Sequence, residues 1–125
     1  MTESRLKEFF AACNDRDITR LASFFTDDAV YLGSIGPDDD GTRFVGVDEI
    51  RRGLGAFLGS HTSLLYDDLD MLIAGDRGFA MWSFAGTRLD GSDYTYRGVD
   101  IFAFKGDRIT SKDAFRKERA NPMGS

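Results

Sequence analysis

Asp100 lies within Val99-Asp100-Ile101-Phe102-Ala103-Phe104, the lone ionisable group in a run with the composition of a buried strand. A carboxylate taken out of water costs several kcal/mol unless it is paired, hydrogen-bonded or protonated. Proteins tolerate that cost where the group has a task, so the strand points to a pocket. Strand alternation puts Tyr96, Gly98, Asp100, Phe102 and Phe104 on one face and Val99, Ile101 and Ala103 on the other. What stands opposite Asp100 depends on the next turn. A two-residue turn at Gly106-Asp107 would pair Phe104 with Ile109 and set Asp100 opposite Asp113. Two carboxylates at that spacing would push one pKa up, leaving an acid and a base near neutral pH. A bulge in the last strand would flip the parity, turn Lys112 and Arg116 to the pocket and put a cation beside Asp100. Turn geometry favours the first register. A third reading makes Asp100 one half of a buried ion pair with Lys112, Arg97 or Arg116 and gives it no chemistry.

Other side chains carry chemistry by type. Tyr31 offers a hydroxyl beside an apolar ring, and Trp82, the single Trp, could stack on a planar ligand. His61 sits in the polar connection Gly59-Ser60-His61-Thr62-Ser63 and reads as a solvent-exposed loop histidine. Cys13, on an apolar helix face, reads as a small core residue. The run Asp38-Asp39-Asp40-Gly41 lacks the alternating ligands of a calcium loop and reads as a solvated loop.

The elements that must position these groups follow from periodicity. Leu6, Phe9, Phe10 and Cys13 predict an amphipathic first helix. Asp17 caps a second whose inner face carries Ile18, Leu21, Ala22 and Phe25. Ala29 to Leu32 is a short strand and 33–42 a loop. Asp48 opens a third helix with Ile50, Leu54, Phe57 and Leu58 inward, weakened by Gly53, Gly55 and Gly59. Four strands follow, over 64–74, 78–85, 94–104 and 108–117. Three helices before an antiparallel meander predict an α+β domain over 1–117, with 118–125 a disordered tail.

Composition narrows the function. The 125 residues carry a net charge of −5, which argues against nucleic acid as a partner. No apolar run approaches the roughly 20 residues of a membrane span, and the N-terminus lacks the layout of a signal peptide. One Cys forms no internal disulfide, and no Cys/His spacing suggests zinc. Eleven Phe suit a thick core or an apolar cavity wall. The expectation is a cytoplasmic domain without metal.

Several segments, in order, resemble one superfamily. They are Phe10-Ala11-Ala12-Cys13-Asn14-Asp15-Arg16-Asp17, Leu21 to Ala29, Phe44-Val45-Gly46-Val47-Asp48-Glu49-Ile50, and Arg97 to Ile109. Together they resemble the nuclear transport factor 2-like superfamily, in its SnoaL-like branch of polyketide cyclases and ketosteroid isomerase relatives. The resemblance implies a cone: a curved antiparallel sheet wrapped on three N-terminal helices around an apolar pocket, commonly dimeric through the outer sheet face. It places Asp100 where ketosteroid isomerase holds a protonated Asp, a case of a carboxylic acid kept neutral by its apolar site. It slightly favours the flipped register. The phenolic partner of that enzyme would fall at Phe9 and its base at Gly33, neither of which can do that work. The Arg-bridged aspartates of limonene epoxide hydrolase are not met either.

The expected catalytic residues are therefore Asp100 and Asp113, with Phe9, Tyr31, Trp82, Phe102 and Lys112 against the ligand. The expected function is binding of a small apolar molecule by a homodimeric, cofactor-free domain. As an enzyme it would be an isomerase, cyclase or dehydratase acting next to a carbonyl. The alternative is a non-catalytic ligand-binding or dimeric interaction domain.

Overall fold

Apolar residues at helical spacing form α1 (Glu3–Asp15), whose start is capped by the Thr2 hydroxyl accepting from the Arg5 amide. The chain leaves it through Arg16, in the left-handed conformation at φ 54°. The computed structural model describes residues 1–119. Asp17 caps α2 (Ile18–Ala22) as expected, its carboxylate accepting from the Arg20 amide. This helix is one turn long. Phe25, expected on its inner face, instead opens β1 (Phe25–Leu32), because Phe24 and Phe25 are both buried and an extended exit lets both rings reach the core.

After the 33–42 loop come β2 (Arg43–Val45), which the sequence pattern did not reveal, and α3 (Val47–Gly59). The meander follows as β3 (His61–Ala74), β4 (Arg77–Arg88), β5 (Asp93–Lys105) and β6 (Arg108–Arg116). The sheet order is β2-β1-β6-β5-β4-β3, antiparallel throughout except for the parallel β1–β6 pair. Helices cover one face, and their buried residues meet Trp82, Phe84, Phe102 and Phe104 of the sheet in one core. The α+β architecture of helices against a curved meander is thus as read from the sequence.

Two irregularities shape the sheet. In β3 the ladder slips between Asp67 and Asp70, with Asp68 at φ 53°. Just before it, Asn14 clamps the strand: its amide nitrogen donates to the Tyr66 carbonyl at 3.1 Å and its oxygen accepts from the Tyr66 amide at 2.8 Å. In β6, Ile109 pairs with Phe104 but Ser111 pairs with Ala103, so Thr110 is an extra residue. That bulge decides the register. Asp100 stands opposite Ala114, while Asp113 stands opposite Ile101 on the outer face. The pairing of Asp100 with Asp113 that a simple turn would give does not form.

The outer face carries exposed Leu72, Met81, Ile101 and Phe115. Among the described residues no helix is long and apolar enough to cross a membrane, and no three His, Cys, Asp or Glu cluster as a metal site would need. Glu118 and Arg119 have no regular secondary structure. The rest of the tail expected to be disordered, 120–125, lies outside the described residues.

Candidate functional site

Asp100 is 1% exposed, yet it borders a cavity of about 170 Å³. The space exists because its neighbours on the sheet are small: Ala80 and Ala114 across on β4 and β6, and Gly98 on its own strand. Larger side chains reach over it from diagonal positions. Trp82, opposite Gly98, donates its indole N–H to Asp100 Oδ2 at 3.1 Å. Lys112, opposite Phe102, brings Nζ to 3.1 Å from Oδ1. Gly98 is needed here. A Cβ on it would stand 2.4 Å from the Trp82 ring and 2.4 Å from the Phe115 carbonyl oxygen.

The walls are aromatic. Tyr31 stacks on Phe44 at 5.2 Å and 16°, and the Lys112 ammonium lies 4.4 Å from the Tyr31 ring centre. Phe44 in turn packs where Gly53 of α3 leaves room; a Cβ there would come within 2.5 Å of its ring. Gly53 therefore serves close approach, at the cost in helix propensity that the sequence already suggested. Tyr66 and Tyr96 meet Trp82 edge-on and complete the wall, with Arg116 at the rim, its guanidinium 4.8 Å from the Tyr96 ring centre. A wider hollow of about 500 Å³ adjoins, between the 33–41 loop and the end of β6.

Electrostatics follow from burial. Burial lifts the Asp100 carboxyl above its ordinary range, against the pull of Lys112 and the Trp82 donor. Burial alone would lower the Lys112 ammonium, but Asp100 and the Tyr31 phenol more than offset it, and its pKa is raised. The ammonium–carboxylate contact and the indole donor both act on the ionised form, so we take the pair as ionised near neutral pH. Oδ2 has its donor; Oδ1 has the ammonium close by but no donor aligned with it. Burial raises the phenols of Tyr31 and Tyr66 and pushes Tyr96 to about 12, so all three remain neutral donors. Burial likewise pushes the Cys13 thiol to about 12, consistent with an inert core residue.

The structure brings together Asp100, Tyr31, Trp82 and Lys112 of the residues expected at the site. It does not bring Phe9 or Phe102 to the cavity. Both are fully buried beneath it, ring edge to ring face at 6.1 Å, because α1 seals that half of the sheet. Asp113 lies on the far side of β6; burial together with Asp40 and Asp100 raises its carboxyl pKa. His61 is a further correction. It is 4% exposed, and its Nδ1 lies 2.9 Å from the Phe57 carbonyl at the end of α3. We assign Nδ1 as the donor there, so Nε2 accepts from the Tyr94 hydroxyl. The unsatisfied carbonyls of a helix C-terminus draw a donor inward, and a polar sequence neighbourhood hides that. Phe44, Tyr66 and Tyr96 were missed at the site. Only the strand parity of Tyr96 with Asp100 could have signalled one of them.

The model of the SnoaL-like domain family matches residues 6–112. Among solved structures, the chain is similar to a candidate polyketide cyclase from Xanthomonas campestris, with a TM-score of 0.78 and 18% identity over 90% of this chain and 87% of that one. It is also similar to a hypothetical protein of ketosteroid isomerase-like fold from Catenulispora acidiphila, in complex with trimethylamine (TM-score 0.80, 16% identity, 92% and 86% covered). A third is TerC, co-crystallised with polyporic acid (TM-score 0.75, 17% identity, 91% and 89% covered). At these identities the likeness shows the fold. No curated protein sequence matches.

Proposed function

The chain belongs to the SnoaL-like domain family, and from that premise we propose that it binds a compact carbonyl compound and moves a proton on the carbon beside the carbonyl. The observation that carries this reading is Asp100: a buried carboxylate that borders a cavity beside the Lys112 ammonium, 3.1 Å from its Oδ1. A carboxylate oxygen with one ammonium beside it keeps a second lone pair, and at the edge of a cavity that lone pair is suited to accept a proton. The carbonyl oxygen faces the Lys112 ammonium, which stabilises the negative charge as the enolate forms. Asp100 takes the proton from carbon and returns it at another position or passes it to a leaving hydroxyl. Isomerisation, cyclisation and dehydration all share that step and need no cofactor. Asp100 works here as an ionised base beside a lysine, unlike the neutral acid that the likeness to ketosteroid isomerase suggested. A cavity of about 170 Å³ limits the enclosed part of the ligand to about one ring, since a cavity of roughly 150 Å³ accommodates benzene. The neighbours crystallised with trimethylamine and polyporic acid support small-molecule binding.

The test is deuterium uptake from solvent at the carbon next to the carbonyl in a panel of cyclic ketones and 1,3-diketones, followed by NMR. Wild-type protein accelerates uptake, and Asp100→Asn abolishes it while the ketone still binds. A second reading, a non-catalytic ligand-binding domain, is favoured by Phe9 and Gly33 at the positions where a phenolic donor and a base would stand. It predicts binding without uptake in the wild type.

The apolar outer face suits a homodimer: Met81, Val99 and Phe115 lie in register across β4, β5 and β6, next to Ile101.

A further inference from the structure

We infer that the ligand is an anion, a compact ring bearing a carboxylate or an equally acidic enol, whose charge is held by Arg116 at the rim while a hydroxyl or acidic C–H faces Asp100. The inference rests on the cavity being the ligand site. Its further evidence is the balance of charge along β6. The bulge at Thr110 turns Lys112, Ala114 and Arg116 to the same face, two cations flanking a small residue that stands opposite Asp100. Within the cavity Asp100 neutralises only one of them. Arg116 has its side chain 15% exposed, and the one carboxylate that reaches it among the described residues is Glu118, two residues on, at 2.6 Å from Nε. Glu118 is 70% exposed and sits outside the cavity wall, so this ion pair is readily exchanged for a ligand carboxylate. Ala114 leaves the floor between the two cations open. A ring lying over it would place an anionic group at the guanidinium fork and a polar substituent at the Asp100–Lys112 pair. The planar fork suits a carboxylate in two-point contact. The aromatic wall of Tyr31, Trp82 and Tyr96 suits the ring between.

The probes are 4-hydroxybenzoate and its neutral analogue 4-hydroxybenzamide, titrated by NMR against wild type, Arg116→Gln, Arg116→Lys and Glu118→Gln. The wild type binds the benzoate at least about tenfold more tightly than the benzamide, the factor expected of one charge-assisted contact. Arg116→Gln removes that preference and Arg116→Lys restores part of it. Glu118→Gln, a change at an exposed position, strengthens benzoate binding and leaves benzamide unchanged. Equal affinity for both probes, or a preference that survives Arg116→Gln, would overturn the anion inference and leave the ligand-site reading intact. If neither probe perturbs the resonances of Trp82 or Lys112, both ideas fail.

Discussion

Asp100 and Lys112 stabilise one another only as a pair, so removing one partner is far more damaging than removing both. Lys112→Met leaves a buried carboxylate uncompensated and should lower unfolding free energy by about 3–5 kcal/mol in denaturant titration. Its pH signature has a definite sign. Despite burial, Asp100 holds the Lys112 pKa above its ordinary 10.5, so the folded protein keeps a proton that the unfolded chain has released. That stabilisation is complete below 10.5 and disappears as pH climbs through the folded value. Wild-type stability should therefore fall more steeply than that of Lys112→Met above that pH; equal slopes would refute the assignment. Gly98 makes a second prediction at this scale. Gly98→Ala drives a Cβ into the Phe115 carbonyl as well as the Trp82 ring, so β6 must shift and the indole must leave Asp100, at a cost of about 3 kcal/mol or more. Because Trp82 is the single Trp, a shift in its emission reports the displacement directly.

Elements decide which residues share a face, and here the sequence was informative only in part. The apolar rhythm of α1 and α3 and the isolated acid in β5 were legible because burial leaves a periodic mark. The bulge was not. Thr110 is an ordinary β-branched residue with nothing to distinguish it from its neighbours, yet it alone moves Asp113 out and Lys112 in. Strand ends such as His61 and Arg88 were also hidden, since pairing there uses backbone groups under polar side chains. Deleting Thr110 should give an uninterrupted ladder with the faces unchanged, because Ser111 then follows Ile109 directly and keeps Ala103 as its partner, Lys112 staying inward and Asp113 outward. We expect the shortened protein to fold and to keep its ligand; a folded deletion variant that has lost ligand binding would contradict the role given to the bulge. The Asn14 clamp on β3 predicts a loss of stability. Asn14→Ala gives up two hydrogen bonds to a strand next to its bulge, worth about 1–3 kcal/mol in thermal unfolding.

For the whole molecule, the sheet has two faces of different character. The inner face is packed around the cavity, and the outer face leaves Met81, Ile101 and Phe115 in water unless something covers them. If a second copy does so, the protein is a dimer by light scattering and Phe115→Arg converts it to a monomer that retains its ligand. A wild-type monomer would remove that reading without touching the site. In the proposed function the buried ion pair has a task beyond holding the fold. The most direct test replaces both partners, Asp100→Leu with Lys112→Met, and measures stability and 4-hydroxybenzoate binding on the same sample. Apolar replacement of a buried pair is often neutral or stabilising. We predict a protein at least as stable as wild type that has lost its ligand; wild-type affinity in that variant would contradict the account.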